Sequence, residues 1–370
     1  MSLAEEIGRI IDVDIHHTWR STADLVRYLP RSWREYVESP PGADTMPVDA
    51  IGVLYPHFRG TNKRLDAYSV DGHRPGSDYA TLRDQHLDPH RVERCVLTYD
   101  VGQIGVANPY YHHALAAAAN DWTTEEWLSI DDDRLYGALI VPTHMPDRGA
   151  EEIRRSGSHA RMVEALLVTN GVGLGFGHPV YEPIHAAAAE MGLPLAIHPG
   201  GDQWVLKTHA AAGGIPPSRF EFHVLSPQAN IFHIASFIVH GVFERYPTLK
   251  LLVVENGVAW IPQLLWSLDA QFETLRRELP LTRLPSEVFR EHVRISTQPL
   301  ELTSPPAALL ESLEAVGGLE DVLVFSSDYP HWDTDDPLYV ARKFPREWWA
   351  KMFYENALGL CRWPAAIVSV

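Results

Sequence analysis

The sequence predicts an α/β fold: a closed (β/α)8 TIM barrel with long insertions after strands 1 and 5. Three observations point there. Eight short apolar, β-branched runs are spread over 370 residues and separated by amphipathic helical patterns. No Gly-x-Gly-x-x-Gly turn follows the first run, which weighs against a doubly wound open sheet, the main competitor. Three of the runs also end on metal-ligating side chains: RIIDVDIHH on Asp14 and His16, LPLAIHP on His198, and VLVFSSDYPHWD on Asp328. A charge at the carboxyl end of a buried strand is costly unless something compensates it, and a metal ion is a common compensator.

Taken in order, strand 1 is expected over Ile10–Ile15. The connection after it, 17–92, holds Trp19, Trp33, several prolines and the turn-rich SVDGHRPGSD. Strands 2, 3 and 4 follow at Glu93–Tyr99, Leu135–Val141 and Val163–Val168. A helix over Tyr181–Met191 has an alanine-rich face and stops at Gly192, a common end signal. Strand 5, Leu193–His198, leads into the second long connection, 200–227, which contains PGGD, AAGG and IPPS. Helices over Phe232–Arg245 and Ile261–Glu278 repeat apolar residues every three or four positions and flank strand 6, Leu249–Val254. Strands 7 and 8 are expected at Val293–Thr297 and Val322–Ser327. In a barrel, segments that follow strands lie at the catalytic face, so both long connections are expected as walls or lids over a site within one domain spanning 1–370.

Composition narrows the function classes. With 31 basic and 48 acidic residues the net charge is −17, which opposes nucleic acid or an anionic membrane as partner. A 45% hydrophobic content suits a globular protein with a sizeable core. Cys95 and Cys361 are the only cysteines, so no disulfide framework is expected and a reducing cytoplasm is the default location. The start, MSLAEEIGRI, has no secretory pattern, and no apolar run approaches membrane-spanning length. A cytoplasmic protein acting on a small molecule is the expectation.

The candidate chemistry begins with Asp14-x-His16, because residues two apart on a strand share a face and can reach one ion. Asp12 alternates with Asp14 and His17 adjoins His16, so the register is open by two positions. His331, three residues after Asp328, is a candidate for the site. His17, Trp19 and Arg20 leave strand 1 and are candidate pocket residues, Arg20 offering a cation for a substrate carboxylate. Tyr329, Trp332 and Trp260 are candidates for an aromatic rim. His112 and His113, in an alanine-rich helical pattern, are expected to be structural. Of His209, His223, His233 and His240, at most one is expected near the ion.

Further motifs add a resemblance. NPYYHHALAAAANDW, DDDRLYGALIVP, HPVYEPIHAAAAEMGLPLAIHPGGD, FERYPTLKLLVVENGVAWIPQLL, STQPLE, FSSDYPH and KMFYENALGL occur in that order, together with the strand-end ligands. In this the chain resembles the amidohydrolase superfamily, nearest its aminocarboxymuconate-semialdehyde decarboxylase-like branch, the amidohydrolase-related family. The resemblance implies a (β/α)8 barrel with one divalent ion held by Asp14, His16, His198 and Asp328. Two departures stand out. Many members carry His-x-His on strand 1, where this chain has Asp14-x-His16, nearer the resorcylate-type decarboxylases. Where the family usually has a histidine after strand 6, this chain has Glu255 in VVENGVAW.

These residues set the expected reaction. A metal-dependent hydrolase of a small carboxylate, ester, lactone or amide comes first, with Asp328 as proton acceptor and Glu255 as second base. The alternative is a non-oxidative decarboxylase of an aromatic or conjugated acid, with Glu255 or His331 supplying a proton to carbon. An inactive binding barrel is third. Zinc is the first expectation for the metal, with manganese, iron or magnesium better competitors here than at a histidine-rich site because of the oxygen ligands. The resemblance further implies a homodimer or larger homo-oligomer.

Overall fold

A computed structural model describes residues 3–38, 63–99, 108–167, 173–199 and 219–364. Its centre is one eight-stranded parallel sheet in the order β1-β2-β3-β4-β5-β6-β7-β8. The strands are β1 (Ile10–His17), β2 (Val92–Tyr99), β3 (Leu135–Ile140), β4 (Met162–Leu167), β5 (Leu195–Ile197), β6 (Leu251–Val253), β7 (Val293–Ser296) and β8 (Leu323–Val324). All residues of β1, β3 and β4 are buried, as strands covered on both faces must be. This is the (β/α)8 barrel that the sequence predicts, with helices between the strands.

The strands differ from expectation at their ends, for local reasons. At the start of β5 and β6, Leu193 and Leu249 give their N–H groups to Ala188 and Tyr246, closing the preceding turns instead of pairing across the sheet. Strand 8 is expected over Val322–Ser327, yet its regular ladder stops at Val324. Beyond it the backbone runs irregularly beside β1. Val13 N–H donates to Phe325 O at 3.2 Å, Asp328 N–H to Asp14 O at 3.1 Å and His16 N–H to Tyr329 O at 2.7 Å. The last strand thus returns to the first through irregular backbone, in the stretch that carries Asp14, His16 and Asp328. Val168, the expected end of strand 4, lies outside the described residues.

Helices follow the periodicity, with breaks where the backbone demands them. Glu182–Met191 follows a 3-10 turn and ends at Gly192, whose φ of +63° a side chain would strain. The helix expected at Phe232–Arg245 begins earlier, at Arg219, and runs to Val239; Gly241, at φ +64°, separates it from Val242–Arg245. Ile261–Leu275 closes with a 3-10 turn at Arg276–Glu278. The first long connection carries helices Thr22–Val26, Arg31–Glu38 and Tyr79–Leu82. Its returning end is stitched to the β8 exit by a bridge between Lys63 and His331 and a hydrogen bond from Arg64 N–H to Pro330 O. Parts of both long connections, 39–62 and 200–218, lie outside the described residues, and His209 with them. No helix among the described residues is long and apolar enough to cross a membrane.

Candidate metal centre

The site starts from a fault in β1. Asp12 pairs with Cys95 and Ile15 with Leu97, so three residues of β1 oppose two of β2. Such a bulge reverses the alternation of side chains, and Asp12 and Asp14 go to different partners. Asp12 accepts from Ser327 N–H at 3.0 Å and lies 2.8 Å from His86 Nε2. Asp14 and His16 turn toward His198 and Asp328 instead. The bulge settles the register that the sequence leaves open.

Asp14, His16, His198 and Asp328 are all buried, and one ligand atom from each lies within 4.8 Å of the others. The two imidazoles face each other, His198 Nε2 to His16 Nε2, at 3.2 Å. Asp328 Oδ1 is 3.0 Å from His16 Nε2, and Asp14 Oδ2 is 3.6 Å from His198 Nε2. His198 Nδ1–H donates to its neighbour's carbonyl, Pro199 O, which fixes the tautomer and leaves Nε2 for the cluster. Neither carboxylate oxygen of Asp14 has a hydrogen-bond partner among the described residues.

Electrostatics says what the cluster lacks. Burial raises the Asp14 carboxyl to about 6 and pushes Asp328 well above the ordinary carboxylate range, where Glu255 raises it further. Burial also opposes charge on His198, but Glu255 and Asp14 outweigh it and hold the imidazolium up to about 9. His16 is driven well below its usual value by burial and by His331. The buried Asp14 carboxylate without a donor, with buried Asp328 and two converging imidazoles beside it, suits a divalent cation, which would supply the missing charge and use lone pairs that otherwise face each other.

A second ring of groups surrounds the four. Glu255 Oε2 is 3.0 Å from His198 Nε2. Although burial works against its charge, His198 brings its carboxyl below the usual value. Gln298 Nε2 donates to Asp328 Oδ2 at 3.0 Å. His331 Nδ1–H donates to Asp328 Oδ1 at 2.5 Å, and Lys63 Nζ donates to His331 Nε2 at 2.6 Å. Glu255 and Asp328 adopt φ of +52° and +60°, a left-handed conformation that costs a residue with a Cβ about 1–3 kcal/mol and gathers at functional sites.

Several candidate residues are placed elsewhere. His17 points to the opposite side from His16, with Nε2 2.8 Å from Thr123 Oγ1 and its ring stacked on Trp122. Trp19 packs on Tyr99 in the same aromatic group. Arg20 is largely exposed and pairs with Asp78. Tyr329 is buried, stacks on His86 and donates to Gln85 Oε1. None of these four bonds to a side chain of the cluster among the described residues. Trp260 spends its indole N–H on Asn256 O and Gly257 O. Trp332 is exposed, 5.6 Å from the ring of His223, which itself lies 3.0 Å from Asp333. His223 is the histidine of its group whose charge bears on Glu255; His233 is buried against Phe176 and His240 packs on His178. His112 is buried beside His144, away from the four.

Comparison with known proteins identifies the family. Residues 11–362 match the family model described as amidohydrolase (Amidohydro_2). The chain belongs to the amidohydrolase family. A γ-resorcylate decarboxylase of Rhodococcus jostii is 26% identical over 272 residues, 68% of this chain and 78% of that protein. The solved 5-carboxyvanillate decarboxylase of Sphingomonas paucimobilis superposes with a TM-score of 0.66 at 22% identity, covering 96% of this chain and 99% of that one. The corresponding enzyme of Novosphingobium aromaticivorans, solved with manganese and 4-hydroxy-3-methoxy-5-nitrobenzoic acid, gives 0.67 at 20% identity and covers 96% of each chain.

For this amidohydrolase the metal-free charge state makes a testable statement. His198 holds a proton up to about 9, and a metal can only take its Nε2 after that proton leaves. Binding of manganese at pH 7 is expected to release at least one proton, and affinity is expected to rise as pH increases toward 9. Calorimetric titrations in buffers of different ionisation enthalpy measure the proton count directly. A count of zero would remove His198 from the ligand set.

Proposed function

We propose that the chain is a metal-dependent, non-oxidative decarboxylase of an aromatic acid. The observation that carries the choice is that relatives matched over most of this chain are γ-resorcylate and 5-carboxyvanillate decarboxylases. This reverses the order in which the sequence alone ranks hydrolysis and decarboxylation. Hydrolysis ranks first there because Glu255 replaces a histidine, but decarboxylation needs an acid beside the ring, and His331 on Asp328 is such a group. Manganese likewise replaces zinc as the metal of choice. A shell of two carboxylates and two imidazoles suits it, and a related structure holds it.

In this reading Asp14, His16, His198 and Asp328 hold the ion. When bound, a divalent cation gathers the oxygens of the substrate and offsets negative charge that develops there. The chain's own groups handle the proton. His331 Nδ1–H, bonded to Asp328 Oδ1, places a transferable proton at the centre of the site, and Gln298 keeps the other oxygen of Asp328 fixed. As that proton goes to the ring carbon bearing the carboxylate, the Lys63 ammonium passes one to His331 Nε2, so the imidazole ends neutral. The bond from ring to carboxylate then breaks, its electron pair restores the aromatic ring, and carbon dioxide leaves. No water is consumed. Glu255 lies beside the cluster, 3.0 Å from His198 Nε2 in the metal-free chain.

Isotopes separate the two reactions. Turnover of a hydroxybenzoate in deuterium oxide is expected to give carbon dioxide and a phenol with one deuterium at the vacated carbon, with no oxygen from labelled water entering the phenol. Hydroxybenzoates left unchanged, while a lactone, ester or amide is cleaved with water oxygen entering the acid product, would establish hydrolysis in its place.

A further inference from the structure

The STQPLE motif, Ser296–Glu301, leaves β7 with a left-handed residue on either side of it, Glu255 after β6 and Asp328 after β8. It bonds to both neighbours. Ser296 Oγ accepts from Glu255 N–H at 3.2 Å, and Gln298 O accepts from Gly257 N–H at 3.4 Å. Toward β8, Gln298 Nε2 meets Asp328, and Leu300 N–H donates to Asp335 Oδ2 at 2.9 Å.

Glu301 completes the contacts on the β6 side. Its carboxylate accepts from Val258 N–H and Ala259 N–H, each at 3.0 Å. Both N–H groups precede helix Ile261–Leu275, so the carboxylate grips the turn that follows Glu255 and not the first helical turn. Gly257 makes this approach possible: its φ is +62°, and a Cβ there would run into the Glu301 carboxylate. A glutamate at φ +52° keeps that conformation only where its surroundings over-determine it. Glu301 is part of those surroundings, and Glu255 ends 3.0 Å from His198 Nε2.

We propose that Glu301 is a positioning residue: by clamping Val258 and Ala259 it holds the Glu255 carboxylate beside the metal ligands. The inference deepens the decarboxylase reading, on which its rate assay rests. A displacement of about 1 Å at a reacting centre can cost about a hundredfold in rate, which bounds the expected effect.

The experiment compares manganese-loaded wild type, Glu301→Leu, Glu301→Gln, Glu255→Gln and the double variant Glu301→Leu with Glu255→Gln. Carbon dioxide release from 2,6-dihydroxybenzoate, manganese content, the urea midpoint and crystal structures are determined for each. Glu301→Leu is expected to lower kcat about ten- to a hundredfold at unchanged manganese. Glu301→Gln, which keeps an oxygen for the two N–H groups, is expected to recover most of that loss. Glu255→Gln is expected to lower kcat at least about tenfold, and the double variant to fall within about twofold of the slower single variant, because one residue acts through the other. Losses that multiply, an unchanged kcat in Glu255→Gln, or a lower urea midpoint in Glu301→Leu with kcat unchanged would each overturn the assignment. Should Glu301→Leu not fold, Glu301→Asp, which withdraws the carboxylate by one methylene, takes its place. Wild type that releases no carbon dioxide from hydroxybenzoates would overturn the decarboxylase reading alone. The structures then decide the inference: a Glu255 carboxylate displaced by about 1 Å or more in Glu301→Leu supports it, and one left in place overturns it.

Discussion

Asp328→Asn is expected to lower kcat by at least about a thousandfold. Asp328 is fully buried and stands between three groups: His16, Gln298 and His331. The amide keeps the shape but loses the charge that offsets a cation, and it cannot hold the proton that His331 shares with the carboxylate. Gln298, which donates to Oδ2, can still meet the amide oxygen, so the backbone at φ +60° is expected to survive. Carbon dioxide release measured together with manganese content decides the point. Near-normal turnover at normal metal content would show that Asp328 is a bystander in the chemistry.

Asp12→Ala is the change with the largest expected cost in stability. Asp12 is not one of the cluster of four, yet it accepts from Ser327 N–H, lies against His86 and approaches Asp14 N–H at 3.3 Å. Removing the carboxylate leaves these buried groups without an acceptor, at about 1–3 kcal/mol each and about 3–5 kcal/mol together. Ser327 precedes Asp328, so the segment that presents the metal ligand loosens as well. The midpoint of urea unfolding is expected to fall accordingly, with weaker manganese binding. Asp12→Asn should cost less, because its amide oxygen can still receive the Ser327 N–H. Equal midpoints for wild type and Asp12→Ala would mean that the link between β1 and the β8 exit is supplied elsewhere.

The sequence is most informative where chemistry sits at a strand exit. Asp14, His16, His198 and Asp328 can be picked out because each interrupts an apolar run at its carboxyl end, and the barrel follows from the spacing of those runs. Chain adjacency misleads for the surrounding residues. His17 follows His16, but alternation sends it into the aromatic layer with Trp122, and Tyr329 follows Asp328 but is drawn to His86. Asp12 looks equivalent to Asp14 until the bulge in β1 separates them. Gln298 lies within the STQPLE motif, where its role as a donor to Asp328 has no sequence signal of its own. Lys63 is the extreme case: its partner His331 is 268 residues away, and only the stitching of the first connection to the β8 exit unites them.

Anomalous diffraction from crystals grown with manganese tests the central claim most directly. The account predicts a single strong peak within bonding distance of Asp14, His16, His198 and Asp328, about 2.0–2.3 Å from each donor atom. A peak elsewhere, or none at these four side chains in fully loaded protein, would contradict it.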